Sequence, residues 1–571
     1  MNKNNWIKGV DYPEWGDNQE YFKMIGDYMQ KGETPVMAYR RVATSIAKEQ
    51  NMPDLADSYF DMIWNNWLCL ASPTLANIGT ERGFPISCFG INIYDDTSEI
   101  GMKHHEYMMM AKFGGGVGTN WNRVRHAGSP ISDIGTSDGT RPFIKIFDTT
   151  TNVMKQGKVR SAAGSVNMNV RHGDFPNFLE MREATGDVSL QCQKLHHSAT
   201  IDDEFMDKVN DYFENKNQKY SPEASTYLSI LRKRMETGEP FILYKGNVNR
   251  TNPPMYETHG LEVDMTNICT EIMLHSDKDH SFVCCLGSLN LARFHEWKDT
   301  DTVKLATYFL DGVMSEFIRK AKKVFGFENA VRFAEKSRAL GLGVLGWHSF
   351  LIQEKLPFTS LTATFWTTTI MKQIQTQAKE ASKELAEIFG EPEWCKGFGT
   401  RNTHNCAVAP TTTNSLLSGG YSPGRDPYKA VYWSEWSAKG SIERKNKYFE
   451  ALLIEKGKNT KDVWRSILAN KGSVSHLDFL TDEEKELYLS AIEINQLELL
   501  RQASVAQKYV CQGISLNLFV PKNSTPSYIY KLHMEAYKFG IKSLYYMHSE
   551  SGLSADMVKM VESDNCKSCE S

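Results

Sequence analysis

No stretch of this 571-residue sequence stays apolar for the ~20 residues a membrane helix needs, and the opening Met-Asn-Lys-Asn-Asn-Trp-Ile-Lys lacks an apolar core of signal-peptide length. Both absences point to a cytoplasmic protein. Basic charge is not in excess either. The formal net charge is −4 at pH 7, which leaves no electrostatic case for a nucleic-acid backbone or an anionic membrane as partner. A small anionic ligand therefore needs a local site. Internal repeats and low-complexity linkers are missing. So is a zinc signature: the one Cys-x-x-Cys, Cys566 and Cys569, has no second pair after it, and no His-Glu-x-x-His occurs, so no metal is expected on this chain. Eleven cysteines, an odd number in so long a chain, exclude a dense disulfide scaffold. Most should be buried thiols, and Cys69, Cys192, Cys395, Cys406 and Cys511 carry no local pairing signal.

What is present is ordinary globular material, 41% hydrophobic and 23% charged, long enough for one large core or several smaller ones. Residues 1–70 read as a helical region, with Tyr21, Phe22, Ile25, Tyr28 and Met29 at three- and four-residue spacing. From residue 71 short strand patterns (Ile86 to Ile93, Phe282 to Leu291, Gly513 to Val520, Ile541 to Met547) alternate with long helical ones. Helices are predicted over Thr302 to Phe325, over Ser360 to Phe389 with Gly390 as the stop, and from the Thr481 capping box to about Tyr509. This alternation argues for an α/β fold over 71–553, with a helical segment near 430–510, and leaves barrel or open sheet undecided. The polar tail, 554–571, should be flexible.

The densest chemistry is Asn267-Ile268-Cys269-Thr270-Glu271. In an extended segment side chains alternate, so an amide, a thiol and a carboxylate would share one face. The alternative is a small core cysteine in an apolar strand. Two loops have the composition of phosphate sites. Gly114-Gly-Gly-Val-Gly-Thr-Asn120 fits neither the dinucleotide fingerprint nor the P-loop and serves equally as a tight turn. Ala409-Pro-Thr-Thr-Thr-Asn-Ser415 offers hydroxyls and free N–H groups at a helix start, or simply an N-cap. Cysteines also stand at Ser87-Cys88, at Cys284-Cys285 and in the tail pair. A dithiol delivers two electrons by closing to a disulfide, and a mobile Cys-x-x-Cys can reopen it by exchange.

Taken together and in order, these motifs resemble the large catalytic subunit of class I, aerobic, ribonucleotide reductases. The resemblance runs from Ser72 to the C-terminus through Ser72-Pro-Thr74, Ser87-Cys88, Gly114 to Gly118, Arg123-Val-Arg-His-Ala-Gly-Ser-Pro130, Gln156-Gly-Lys-Val-Arg160, Asn267-x-Cys269-x-Glu271, Cys284-x-Leu-x-Ser-Leu, Ala409-Pro-Thr, Tyr545-Tyr546 and the tail dithiol.

That resemblance implies a ten-stranded α/β barrel with a central finger loop, after an N-terminal helical domain. Cys269 would be the thiyl radical that takes the ribose 3′-hydrogen, Glu271 would take the 3′-hydroxyl proton, and Asn267 would hold the sugar hydroxyls. Cys88 and Cys284 would be the reducing pair. Cys284 has the family's spacing, and alternation lets only one of Cys284 and Cys285 face the site. Thr74, Ser87 and Gly116 would line the substrate, and Thr411, Thr412, Thr413, Asn414 and Ser415 would hold its diphosphate. Tyr545 and Tyr546 would carry the radical from a metal-containing small subunit, useful only if the rings are stacked or nearly so. Cys566 and Cys569 would pass electrons from thioredoxin or glutaredoxin. Asp95, Arg123 and Arg160 would belong to a nucleotide effector site, in a homodimer, with ATP or deoxynucleoside triphosphates as effectors. The N-terminal ATP cone of longer relatives is not seen in the sequence, so control through it is expected to be absent. A cobalamin-dependent reductase, a glycyl-radical relative and an inactive nucleotide sensor are the competing readings. The adjacent tyrosines, the tail dithiol and the intact Asn-Cys-Glu argue against them in turn.

Overall fold

Asn18 starts the first regular element: its side-chain oxygen accepts the Tyr21 N–H and caps the helix Gln19–Tyr28. Pro35 stands in the first turn of Pro35–Glu49, where its missing N–H would be unpaired anyway, and Ala56–Trp64 follows. The computed structural model describes residues 6–156, 160–183, 191–215, 221–437 and 440–549. The opening helices bury Ile25, Val42, Ile46 and Tyr59 in a core continuous with the rest of the chain. The long helix Thr302–Ala321 meets them closely. Gln50 Nε2 donates to the Tyr308 carbonyl at 2.7 Å, and a Cβ on Gly312 would lie 2.5 Å from Ile46 Cγ2.

Five strands, Cys88–Tyr94, Gly116–Arg123, Ala163–Asn169, Leu195–Ile201 and Phe241–Tyr244, pair in that order and all in parallel. A second parallel run begins with Phe282–Asn290 and Leu340–Leu345. It continues through single bridges, Leu342 to Cys406 and Val408 to Ile514, until Leu518–Val520 pairs with Met547–Ser549. Two antiparallel seams join the runs, Phe282–Cys284 against Cys88–Gly90 and Ile242–Leu243 against Ser543–Leu544. The extended segments thereby close into a ten-stranded barrel of two parallel halves. Parallel strands covered on both faces lose the polar alternation of an exposed sheet. Phe282–Asn290 accordingly is buried at all nine positions. Among the described residues, no helix is long and apolar enough to cross a membrane.

Several element boundaries differ from the sequence reading, each for a local reason. The helix predicted from Thr481 to Tyr509 is two, Asp482–Leu487 with its capping box and Gln496–Gln507 capped by Asn495. Between them Ser490 and Glu493 hydrogen-bond each other's region, and the Ala491 N–H goes to the Tyr428 carbonyl, so the backbone is diverted. The Gly513 to Val520 strand is regular only over Leu518–Val520, because the Gly513 N–H is spent on Glu271 O at 2.8 Å. Gly114, at φ +78°, makes the expected turn, but Gly116 to Asn120 is strand rather than loop. The segment near 430–510 carries its own smaller core of Phe449, Leu453, Trp464, Ile467 and Tyr488, beside the hairpin Tyr432–Ser437 with Gly440–Lys445.

Candidate active site

The segment Asn267 to Ile272 is not an extended strand: it is a tight turn at the tip of a loop inside the barrel. Asn267 N–H donates to Ile272 O at 3.3 Å, Asn267 Oδ1 accepts the Ile272 N–H at 3.0 Å, and Thr270 takes φ +69°. A β-branched residue in the left-handed region is strained, and surrounding contacts must hold it there. They do. Ser543 Oγ donates to Thr270 O at 3.0 Å, Ser515 Oγ donates to Cys269 O, and Asn167 clasps the Thr266 backbone from both sides, its amide to Thr266 O and its oxygen from Thr266 N, each at 3.2 Å. Two glycines make the room. A Cβ on Gly118 would stand 2.4 Å from Thr266 O, and one on Gly513 would stand 3.0 Å from Thr270 O.

The turn still gathers the three functional groups. Asn267, Cys269 and Glu271 are all buried. Burial pushes the Glu271 carboxyl up to about 7, with Ser515 and the nearby Asn267 amide offsetting part of the effect. Ser515 Oγ, whose hydrogen goes to Cys269 O, also lies 3.2 Å from Glu271 Oε2, while Glu271 Oε1 and Asn267 Nδ2 have no hydrogen-bond partner among the described residues. A buried acceptor and a buried donor left open side by side are costly unless a ligand completes them. An acceptor beside a donor suits vicinal hydroxyls.

Cys88 and Cys284 are opposed partners across the first antiparallel seam. Directly opposed residues there have Cα atoms about 4.5–5.5 Å apart, inside the ~4.4–6.8 Å range of a disulfide. Neither is in a disulfide here, and burial pushes Cys284 well up. Gln512 Nε2 lies 3.5 Å from Cys284 Sγ, and its Oε1 accepts the Met273 N–H at 3.2 Å, so one amide ties this thiol to the finger loop. Cys285 faces the other way, donating to Leu310 O at 3.4 Å on the outer helix.

On the opposite seam, Tyr545 Oη lies 3.9 Å from Cys269 Sγ. The Tyr545 and Tyr546 rings are 4.4 Å apart at 61°, edge-on rather than in the expected stack, so close ring contact and not stacking is what would couple them. The two residues fall between the strands Ser543–Leu544 and Met547–Ser549, where alternation lapses and neighbouring side chains can turn toward each other.

A thiol at a loop tip, an open carboxyl beside it, a dithiol on one wall and a tyrosine pair on the other can support radical abstraction with two-electron reduction. The family described as "Ribonucleotide reductase, barrel domain" matches residues 86–229, 212–398 and 392–547, and "Ribonucleotide reductase, all-alpha domain" matches 18–83. The chain belongs to the ribonucleotide reductase large-subunit family. A relative from Frog virus 3 (isolate Goorha) is 34% identical over 532 residues, covering 91% of this chain and 93% of that one. The ribonucleoside-diphosphate reductase large subunit of Invertebrate iridescent virus 3 is 29% identical, covering 94% of each. Among solved structures, the Actinobacillus ureae class Id ribonucleotide reductase alpha subunit superposes with a TM-score of 0.87 at 36% identity, covering 96% of this chain and 99% of that one.

Other predicted positions of this reductase chain fall into three groups. Thr74, Ser87 and Gly116 are buried near Cys88: Gly116 is its register partner, and Thr74 Oγ1 donates to Pro85 O at 3.1 Å. Thr411 is the N-cap of the short helix Thr412–Leu417, at φ +53°, and its side chain accepts no cap bond; its Oγ1 instead accepts the Gly424 N–H at 2.7 Å. Ser72 Oγ meets Asn414 Oδ1 at 3.5 Å, so this helix start and the Ser72–Asn77 helix start lie together, with Thr413 and Ser415 buried between elements. Asp95 and Arg123 are not paired with each other. Asp95 binds Arg125 at 2.7 Å, and Arg123 binds Asp264 and Asn92, both at 2.9 Å. The side chain of Arg160, and Cys566 and Cys569, lie outside the described residues. Sequence reasoning missed Asn167, Gln512 and Ser515. Asn167 alternates with Ser165 and Asn169, and Gln512 and Ser515 share one short stretch with Asn517, a pattern that marks extended backbone without naming the partner.

Proposed function

We propose that this chain is the catalytic subunit of a ribonucleoside-diphosphate reductase of class I, forming 2′-deoxyribonucleoside diphosphates. The observation that carries the reading is Cys269 on a strained turn, with Tyr545 at 3.9 Å on one side and the open Glu271 oxygen in the same turn. A separate small subunit supplies the radical, and nucleotides act as effectors. The radical reaches Cys269 through Tyr546 and Tyr545. The Cys269 thiyl takes the ribose 3′-hydrogen, Glu271 accepts the 3′-hydroxyl proton, and Asn267 donates to the sugar hydroxyls. The 2′-hydroxyl leaves as water with one thiol proton, and the other thiol hydrogen and the two electrons of Cys88 and Cys284 go to the 2′-carbon as the pair becomes a disulfide. Cys269 then returns hydrogen to the 3′-carbon and Glu271 returns its proton to the 3′-oxygen, which regenerates the thiyl radical. Thr74, Ser87 and Gly116 line the sugar, and the Thr411 to Ser415 turn receives the diphosphate.

The tail pair Cys566 and Cys569 reopens the disulfide by exchange, recharged by thioredoxin or glutaredoxin, in a homodimeric subunit. Asp95, Arg123 and Arg160 serve effector recognition. The deciding assay measures deoxyribonucleotide formation with and without the cognate small subunit. Product requires both chains, and turnover by this chain with adenosylcobalamin alone would overturn the reading. Removing 566–571 should stop turnover with redoxins and spare it with dithiothreitol. Loss of both would give the tail another role.

A further inference from the structure

Beside Tyr546 lies a charged network that the reaction above does not use. His196, on the strand Leu195–Ile201, places Nδ1 3.2 Å from Tyr546 Oη and 2.8 Å from Glu239 Oε1. Glu239 is buried and also receives Arg182 Nε at 3.2 Å and the His197 N–H at 3.0 Å. Burial alone would raise its carboxyl. Arg182 and the neighbouring histidines overcome that and hold it down to about 2. An ionised carboxylate only accepts. Two acceptors cannot face each other at 2.8 Å, so His196 carries its hydrogen on Nδ1, and that N–H is shared between Glu239 and the phenol oxygen. His196 therefore donates to Tyr546 and does not take its proton. Its ring is further fixed by Phe241, 5.8 Å away at 23°, which also lies 4.6 Å from Tyr545 and 4.8 Å from Tyr546. The neighbouring His197 points to the other face and stacks on Phe178 at 4.4 Å, so the pair is split by strand alternation.

We infer that His196, oriented by Glu239 and Arg182, is a positioning residue for Tyr546: its Nδ1–H pins the phenol oxygen at the outer step of the radical route. This rests on the reading of Tyr546 as that step. Tyr545 is buried in the wall of the barrel, whereas Tyr546 is only partly buried. A fixed donor at its oxygen keeps the ring edge-on to Tyr545 when the partner subunit is docked and when it is not. No bond changes at His196. On oxidation of Tyr546 one electron goes to the radical of the small subunit and the phenol proton goes to water at this partly exposed edge, while the Nδ1 proton stays on nitrogen.

The test uses the holoenzyme with its small subunit, a ribonucleoside diphosphate and dithiothreitol. His196→Phe should lower kcat by about tenfold or more with little change in KM. His196→Gln, whose amide can still donate, should recover most of the loss. Glu239→Gln should fall similarly, and the His196→Phe, Glu239→Gln double variant should fall no further than the worse single one. With 3-aminotyrosine at position 546 trapping the radical, deuterium-exchanged samples should show a hydrogen-bonded deuteron coupled to the ring oxygen. That coupling should vanish in His196→Phe and persist in His196→Gln, a change that loss of packing alone would not produce. Unchanged kcat or unchanged coupling in His196→Phe overturns the inference; should that variant not fold, unchanged coupling in Glu239→Gln does so. Turnover by Tyr546→Phe would instead defeat the radical-route reading itself.

Discussion

Cys88 and Cys284 face each other across the seam where one parallel half of the barrel meets the other. The antiparallel register sets the two side chains directly opposite at disulfide distance, so the ladder itself selects Cys284 over its neighbour. Cys284→Ser should therefore stop turnover, while Cys285→Ser should remain active. Peptide mapping after turnover without reductant should recover Cys88 linked to Cys284. A link through Cys285 would remove the pair from the mechanism.

Cys269→Ser should bind substrate with little change and form no deoxyribonucleotide, because oxygen cannot carry the radical at comparable cost. Tyr545→Phe should behave alike, losing one hydroxyl contact worth at most about 1–2 kcal/mol of stability. Substantial product from either variant with the small subunit present would contradict the radical route.

Glu271 links activity and stability to pH with opposite signs. The unfolded chain releases this proton near 4.5, whereas the folded chain keeps it until about 7. Between those values the folded state binds more protons, so stability falls as pH rises, by about 3 kcal/mol in all. Glu271→Gln should abolish turnover yet show a Tm advantage over the parent that grows from pH 5 to pH 8. In the parent, kcat should rise through about pH 7 as the carboxylate forms. A Tm difference independent of pH would mean that the group is not held neutral.

Gly118→Ala tests how tightly the wall fits the loop. The added Cβ would sit 2.4 Å from Thr266 O, so backbone must shift. A loss of about 1–3 kcal/mol in stability is expected, with a larger effect on kcat than on KM. Wild-type kcat in this variant would mean that the turn tolerates displacement.

Much of this was legible in the sequence. The Phe282 strand and the Ser360-capped helix rest on local rules of periodicity and capping, and those rules hold here; the amide, thiol and carboxylate do come together, but on a turn and not by the alternation of a strand. Where the reading failed, the controlling partner was distant in sequence. Nothing near Asn267 announces that Ser543, Asn167 and Gly513 fold its segment into a turn, and nothing near Gly513 announces that its N–H is committed to Glu271. The edge-on tyrosines have the same origin, since their strand lapses at the point where it meets Leu516 and Arg234. His196 and Glu239 stand 43 residues apart, too far for any motif to join them.

The two antiparallel seams stand on opposite walls, five strands apart whichever way the ring is followed. One carries the tyrosines and the other the dithiol, with the finger loop between. On the proposed route a hole arriving at Tyr545 would meet Cys269 as its first thiol, while the two-electron step would take place at the far wall. On that reading the barrel's own circumference would hold one-electron and two-electron traffic apart until a substrate is seated between the walls.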